Sequence, residues 1–200
     1  MNRLLKYPLK IGLTGGIGSG KTTVANILKT LGIPIFNSDE HGKKLFINNK
    51  NVINETIKHF GNNILTNKNI DLKKLGNIVF SNKKELAVLN NIIHPNISRI
   101  FNEWYNKQTT KYIIKESAIL FESNTYKKVD KIILIKAPIN LRIQRTCMRD
   151  KRSVSEVKKI IQNQLPVKKI IKHANYIVNN NEKKLLVPQV MDIHNMILNL

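Results

Sequence analysis

Short apolar runs alternate along the chain with longer segments in which apolar residues recur at helical spacing. Compact apolar runs bounded by polar residues predict five buried strands, at 10–14, 33–36, 112–114, 131–135 and 176–178. The helical pattern covers 22–31, most of 39–107, 140–149, 153–164 and 185–198. Strands separated by helices favour parallel pairing with right-handed crossovers, so the sequence predicts a three-layer α/β sheet.

One helical stretch, 39–107, is too long to be a simple crossover between two strands. Turn-forming residues interrupt it at 61–63 and 66–71, and Pro95 is expected to open a new helix at its first turn. We therefore expect this stretch to form a helical lobe beside the sheet.

The most specific motif is GGIGSGKT at residues 15–22, between the first predicted strand and the helix after it. It matches G-x-x-x-x-G-K-[ST], in which glycines let backbone N–H groups turn inward around a phosphate at a helix N-terminus. Lys21 can reach the terminal phosphates, and the Thr22 hydroxyl is a hard oxygen ligand suited to Mg²⁺. The motif predicts a nucleoside triphosphate bound with magnesium, rather than a glycine-rich turn that binds nothing.

The motif alone does not say whether the phosphoryl group passes to water or to a substrate. The string closest to the guanine-reading Asn-Lys-x-Asp is NKKE at 82–85, which ends in Glu and follows no strand. An apolar strand ending in Asp-Glu, usual in motor and transport ATPases, is absent from the sequence. A small chain with a helical lobe therefore favours a kinase of a small molecule.

Two carboxylates follow predicted strands, where the ends of parallel strands share one crevice. Asp39 comes just after the second strand and has two interpretations: the base that takes a proton from an attacking hydroxyl, or a helix cap. Glu116 follows the third strand, where it is either a magnesium ligand or a solvated loop carboxylate.

Four of the six arginines fall within 142–152, and Arg142, Arg145 and Arg149 share one face of the predicted helix. Because the guanidinium fork matches phosphate oxygens and keeps its charge, this face suits a lid that closes over ATP. An exposed basic helix face is the alternative. The use of arginine in a chain where lysine is the usual cation favours phosphate contacts.

Charge and composition say less about the function of the chain than the motifs do. The 34 Lys and Arg against 13 Asp and Glu give a net charge of +21, which either attracts a polyanion such as nucleic acid or reflects a composition rich in Lys, Asn and Ile. The spread of the lysines along the chain favours the second interpretation. No apolar run is long enough to span a membrane, and the single Cys147 excludes an internal disulfide. We expect a cytoplasmic protein without a membrane partner.

These features together resemble the dephospho-CoA kinase family, whose likeness runs from about residue 10 to residue 179. The motif alone is generic, whereas an ordered series of matches is specific. The matching segments are 12–25 (GLTGGIGSGKTTVA), Asp39, 94–95 (HP), 116–122 (ESAILFE), 145–150 (RTCMRD), Gln164 and 174–179 (ANYIVN).

The resemblance implies that Asp39 deprotonates the ribose 3′-hydroxyl of dephospho-CoA, with a helical acceptor-binding lobe at 39–109 and a lid at 145–164. The chain departs from the family pattern at Glu116, which replaces Asp, and at Asn175, which replaces another Asp. Leu72 stands where the family commonly has Arg, which leaves Lys73 or Lys74 as possible substitutes.

The resulting prediction is a P-loop NTPase fold in one domain of 200 residues, with the core at 1–38, 110–144 and 165–200. ATP and Mg²⁺ are the expected cofactors and dephospho-CoA is the expected acceptor; another nucleoside or nucleotide kinase, or a basic nucleic-acid binder, is the alternative. The expected catalytic residues are Asp39, Lys21 and Arg145. The expected nucleotide contacts are Gly15, Gly16, Gly18, Ser19, Gly20, Lys21, Thr22, Thr23, Arg142 and Arg149, and the expected metal ligands are Thr22 and Glu116.

Overall fold

The computed structural model describes residues 7–200, in which the predicted alternation of strands and helices is present. The strands are β1 (Leu9–Thr14), β2 (Ile35–Asn37), β3 (Leu65–Thr66), β4 (Asn69–Ile70), β5 (Tyr112–Glu116), β6 (Lys131–Lys136) and β7 (Tyr176–Asn179). The helices are α1 (Lys21–Thr30), α2 (Ser38–Asn48), α3 (Lys50–Phe60), α4 (Leu72–Val79), α5 (Lys83–Tyr105), α6 (Ile139–Asp150), α7 (Val154–Asn163), α8 (Val167–Ile170) and α9 (Leu186–Leu198).

The main sheet has five parallel strands in the order β2-β5-β1-β6-β7. β1 is central, and its Leu13 pairs with Glu116 of β5 on one side and with Ile133 of β6 on the other. The carboxyl ends of these strands therefore meet at one edge of the sheet, from which the loop after β1 extends.

Helices cover both faces of this sheet, as the three-layer α/β prediction requires. On one face α1 and α9 pack against the strands, with Leu28 and Ile197 fully buried among the apolar strand residues. On the other face α8 contributes Ile170 to a smaller cluster with Leu120 and Leu134. The prediction of a P-loop NTPase fold with a parallel sheet is confirmed.

The described residues form two compact units, one of 7–37 with Tyr105–Leu200 and the other Ser38–Trp104. The first, the sheet unit, contains the five-stranded sheet. The second, the helical unit, contains α2 to α4, the β3–β4 hairpin and nearly all of α5. The acceptor role expected of 39–109 and the lid role expected of 145–164 remain predictions.

The helical unit has an apolar core of its own. Its buried members are Leu45, Phe46, Val52, Phe60, Ile64, Leu75, Val79 and Leu89. Side-chain caps fix two of its helix starts: Asn49 accepts a hydrogen bond from the Val52 amide at α3, and Asp71 accepts from the Lys73 and Lys74 amides at α4. These three hydrogen bonds give partners to backbone N–H groups that have none within the helix, and so stabilise the helix starts.

Pro95 is where the helix prediction is wrong, because it lies inside α5 instead of opening a helix. Proline removes the N–H that would bond to the carbonyl of Asn91, four residues earlier. Asn91 and Pro95 both lie on an exposed face, so water can hydrate that carbonyl and the helix continues. One residue further along the helix, the Asn96 side chain donates to the Ile92 carbonyl at 3.1 Å.

In the described part of the chain, no helix is both long enough and apolar enough to cross a membrane.

Candidate active site

The glycines of the loop between β1 and α1 set its shape. Gly20, which caps α1, has φ +96°, and Gly18 has φ +73°, both in the left-handed region that favours glycine. A Cβ on Gly18 would also lie 2.3 Å from the carbonyl oxygen of Arg142, a backbone atom that cannot move aside cheaply. The turn is closed by the Ser19 amide, which donates to the Gly16 carbonyl at 3.1 Å.

Lys21, the first residue of α1, folds back over this loop. Its Nζ donates to the Gly15 carbonyl at 2.9 Å and approaches the Gly16 carbonyl at 3.4 Å, and the residue is buried. The loop thus holds a buried ammonium group beside the N-terminus of a helix, whose first N–H groups have no carbonyl partner within the helix. Both features favour an anion.

A carboxylate and a hydroxyl meet at the first turn of α1. Glu116 ends β5 and is buried, its Oε1 accepting from Thr22 Oγ1 at 3.1 Å and its Oε2 from Asn37 Nδ2 at 3.1 Å. The structure therefore brings together the two expected metal ligands, and the buried position of Glu116 differs from that of a solvated loop carboxylate.

This oxygen pair fits Mg²⁺, which prefers hard oxygen ligands and usually takes its remaining ligands from phosphates and water. Among residues 7–200 there is no group of three or more His, Cys, Asp and Glu side chains that could enclose a metal by themselves. An ion here would depend on the phosphates for part of its coordination.

The three arginines of α6 have different surroundings, although the sequence places them on one helix face. Arg142 is buried against the loop, where its Nε donates to the Ile17 carbonyl at 2.9 Å, and burial lowers its pKa because it disfavours the charged form. Arg149 is exposed and pairs through Nε and Nη2 with Asp150, which raises its pKa.

Arg145 is intermediate in exposure between Arg142 and Arg149. Its Nη2 donates to Glu182 at 2.9 Å and approaches Asn180 Oδ1 at 3.4 Å, while its Nη1 is buried without a hydrogen-bond partner in the described structure. Because a buried N–H without a partner is unfavourable, this nitrogen marks a place where a ligand oxygen would be stabilised.

Asn180 is a site residue that the sequence pattern did not identify. It follows β7, is buried, and donates from Nδ2 to the Ser19 carbonyl at 2.8 Å. A Cβ on Gly20 would lie 2.2 Å from that nitrogen, so the amide packs directly against the phosphate loop. Its position just after a strand, at the loop-bearing edge of the sheet, is the signal that could have identified it.

Two further residues singled out in the sequence have backbone partners. Gln164, which directly follows α7, accepts at Oε1 from the Ile17 amide at 2.9 Å. Asn175, where the family pattern has Asp, accepts at Oδ1 from the Ile132 amide at 2.9 Å and therefore fixes the start of β6 without carrying a charge.

Asp39 belongs to the helical unit, where it is the second residue of α2 and exposed. The helix begins one residue earlier, at Ser38, so Asp39 lies inside the first turn. A carboxylate is favoured there by the helix dipole. Thr22 and Thr23 occupy the first turn of α1 in the same way and are exposed.

Comparisons with known proteins agree with this geometry. A family model described as "Dephospho-CoA kinase" matches residues 9–185. The chain is 42% identical over 172 residues to the dephospho-CoA kinase of Fusobacterium nucleatum, covering 86% of this chain and 89% of that protein. It is 32% identical over 186 residues to that of Bacteroides fragilis, covering 92% and 91%.

Solved structures show the same likeness. TT1252 from Thermus thermophilus superposes with a TM-score of 0.82 at 25% identity, covering 97% of this chain and 98% of that one. Dephospho-CoA kinase from Campylobacter jejuni superposes with a TM-score of 0.66 at 28% identity, covering 96% of this chain and 98% of that one. Shikimate kinase from Acinetobacter baumannii, with a TM-score of 0.53 and 19% identity over 96% of this chain and 94% of that one, shares the fold. From the family match and these relatives, the chain belongs to the dephospho-CoA kinase family.

Proposed function

We propose that the chain transfers the γ-phosphoryl group of ATP to the ribose 3′-hydroxyl of dephospho-CoA, giving coenzyme A and ADP. The observation that carries the proposal is the phosphate loop of the sheet unit, with buried Lys21 folded over it and the Thr22–Glu116 pair beside it. Family membership supports the choice of acceptor, because relatives 42% and 32% identical are dephospho-CoA kinases.

In this proposal the nucleotide phosphates are bound by the loop and the first turn of α1. Lys21 exchanges its loop carbonyls for phosphate oxygens, and Arg145 and Arg149 approach from α6 when the lid at 145–164 closes. The unpartnered Nη1 of Arg145 supports such a role. The proposed loop and helix contacts are Gly15, Gly16, Gly18, Ser19, Gly20, Lys21, Thr22 and Thr23.

The same proposal assigns Thr22 Oγ1 and the Glu116 carboxylate to magnesium, with Asn37 holding the other carboxylate oxygen. Bound Mg²⁺ would neutralise part of the negative charge on the phosphates. Glu116 accepts a hydrogen bond from Thr22 in the described structure, so this hydrogen bond would be broken when both side chains bind the ion.

The acceptor is assigned to the helical unit, with Asp39 as the general base. Asp39 takes the proton of the 3′-hydroxyl, the oxygen forms a bond to the γ-phosphorus, and the bond from that phosphorus to the β–γ bridging oxygen breaks to release ADP. Of the two lysines near Leu72, Lys74 donates to the Leu65 carbonyl at 2.8 Å. Lys73 is therefore the better candidate to replace the cation commonly found at Leu72.

An acceptor competition measures the proposed function directly. ADP release is followed with ATP, Mg²⁺ and one acceptor at a time: dephospho-CoA, adenosine, AMP or another nucleoside. We expect dephospho-CoA to give the highest kcat/KM by at least about a hundredfold, because binding of the whole acceptor positions its hydroxyl. Coenzyme A is the matched control, since its 3′-position is already phosphorylated and it should give no release.

A preference for adenosine or AMP would replace this proposal with a nucleoside or nucleotide kinase.

A further inference from the structure

Both backbone polar groups of Ile17, in the middle of the phosphate loop, are held by side chains from elsewhere in the sheet unit. The Ile17 carbonyl accepts from Arg142 Nε at 2.9 Å. The Ile17 amide donates to Gln164 Oε1 at 2.9 Å. Arg142 Nη2 donates to the same Gln164 oxygen at 3.2 Å, which closes a ring of three hydrogen bonds around Ile17.

The ring is packed against the loop from the side of α6. Arg142 is only 9% exposed, and a Cβ on Gly16 would lie 2.0 Å from its Nη2, so the guanidinium is in direct contact with the loop backbone. Two of its donors are already used inside the protein. A buried guanidinium with these partners is poorly placed to turn toward a phosphate, since it would leave the Ile17 carbonyl unpaired.

The ring also fixes which loop amides remain for a ligand. The Ile17 amide points to Gln164, and the Ser19 amide to the Gly16 carbonyl. Neither of these two amides is directed at a ligand, whereas the N–H groups of the first turn of α1, around Lys21 and Thr22, have no carbonyl partner within the helix and can face an anion. A loop held in this shape before the nucleotide arrives has less freedom to lose on binding.

We propose that Arg142 and Gln164 are positioning residues that hold the phosphate loop, through Ile17, in the conformation that receives a nucleotide. The inference rests on the proposed nucleotide binding, and it gives Arg142 an indirect role in place of a direct phosphate contact. Arg142 lies on α6 and Gln164 directly follows α7. Side chains from both helices of the expected lid region therefore hold the phosphate loop.

The test is equilibrium titration of a fluorescent ADP, N-methylanthraniloyl-ADP, with Mg²⁺ and no acceptor. Gln164→Leu removes the shared acceptor, and Arg142→Met removes both donors. Each is expected to raise the Kd about tenfold, because the loop must then be ordered on binding. The double variant is expected to bind more weakly than either single variant, but by less than the two losses combined, since both single changes remove the bond between Arg142 and Gln164.

Arg142→Lys separates geometry from charge. It keeps the positive charge and loses the planar fork, so it is expected to bind as weakly as Arg142→Met. Binding like the wild type by Arg142→Lys, or losses that simply add in the double variant, would overturn the proposal.

A structural control removes a buried hydrogen bond far from the loop. Tyr112→Phe, at the opposite end of β5, deletes the 2.7 Å contact between Tyr112 Oη and His194 Nδ1. It should lower the Tm and leave the Kd unchanged, whereas Gln164→Leu should raise the Kd and the KM for ATP with kcat nearly unchanged. If Gln164→Leu behaves like Tyr112→Phe, the ring is merely structural.

Because no acceptor is present, the titration stands apart from the proposed function. A wild-type protein that binds the nucleotide but does not phosphorylate dephospho-CoA would defeat the proposed function and leave this inference intact.

Discussion

The sheet unit and the helical unit bury their polar groups to very different extents. In the described residues of the helical unit, the buried polar side chains are Ser38 and Thr56, and its core is otherwise apolar. The sheet unit buries a much larger set, most of it around the phosphate loop. Its buried polar members are Thr14, Ser19, Lys21, Lys115, Glu116, Ser117, Arg142, Thr146, Asn180 and His194.

The difference indicates that the sheet unit, more than the helical unit, buries polar groups that lower stability and serve function. A buried polar group lowers stability unless it is hydrogen-bonded, so apolar packing is the simpler way to hold a unit together. The helical unit follows that simpler way. The sheet unit keeps Lys21 and Glu116 buried and paired with neighbours that a phosphate or a metal ion would replace.

The largest effect is expected at Asp39, the residue of the helical unit to which we assign proton transfer. Asp39→Asn removes the carboxylate that takes the proton, so kcat is expected to fall about 10²–10⁴-fold. Fluorescent ADP should bind as before, because Asn keeps the shape of the side chain. Steady-state ADP release gives kcat, and the titration gives the Kd.

Glu40→Gln is the matched control, since Glu40 is the next residue and pairs with Lys44 on the helix surface. It should turn over normally. Turnover by Asp39→Asn equal to that of Glu40→Gln would remove the helical unit from the chemistry.

The corresponding change in the sheet unit is Lys21→Met. It removes the buried ammonium that would stabilise charge on the transferring phosphoryl group, so kcat/KM is expected to fall about 10²–10³-fold. Lys29→Met, in the last turn of the same helix, is the control and should be nearly neutral. A Lys21→Met enzyme with wild-type kcat/KM would contradict the proposed phosphate contact.

Apolar packing of the helical unit is tested by Leu75→Ala. Leu75 is 2% exposed in the core of that unit, and the cavity is expected to lower the free energy of unfolding by about 2–5 kcal/mol. Urea unfolding measures the change. Leu72→Ala, at an exposed position of the same helix, should cost about 0.5 kcal/mol or less.

If the two units divide the work as proposed, Leu75→Ala should raise the KM for dephospho-CoA and leave the Kd of fluorescent ADP unchanged. A Kd that rises with the KM would show that the helical core also supports the phosphate loop.

The smallest expected effect concerns Lys115, a buried lysine of the sheet unit to which we assign no chemistry. Burial, with added repulsion from Lys128 and Lys10, lowers the pKa of Lys115 to about 8 from 10.5. The folded state therefore opposes protonation, and this penalty is complete below about pH 8 and is relieved as the pH rises toward 10.5. Lys115→Met is expected to raise the free energy of unfolding at pH 7 by roughly 1–3 kcal/mol.

Urea unfolding at pH 7 and pH 10 checks the sign, because the gain should shrink at the higher pH. Lys127→Met, at an exposed position, is the control and should show neither the gain nor its pH dependence. A Lys115→Met protein that is less stable at pH 7 would contradict the argument.

Long, strongly patterned segments were predictable from the sequence, since both strand and helix periods were clear. All five strands of the main sheet were expected, and each has its predicted core with ends shifted by a residue or two. The β3–β4 hairpin was not expected, because two residues per strand are too few to show a period. Pro95 was misplaced because its local preference for a helix start gave way to continuous packing along α5.

At the site, the sequence could name residue types and could not tell which neighbour each would meet. Lys21, Thr22 and Glu116 were expected together because strand ends at one sheet edge converge. Arg142 and Arg145 share a helix face, yet one contacts Ile17 and the other Glu182, since their partners come from distant parts of the chain. Asn180 meets Ser19 across 161 residues, a distance that no local pattern reveals.

The central position of β1 has a consequence for synthesis on the ribosome. Its two neighbours in the sheet, β5 and β6, begin at residues 112 and 131, about a hundred residues or more after β1 begins at residue 9. The side chains that hold the phosphate loop come later still, up to Asn180. The nascent chain must therefore keep this apolar strand without its sheet partners until β5 has emerged, and an unpaired apolar strand is prone to aggregation, which favours contact with a chaperone.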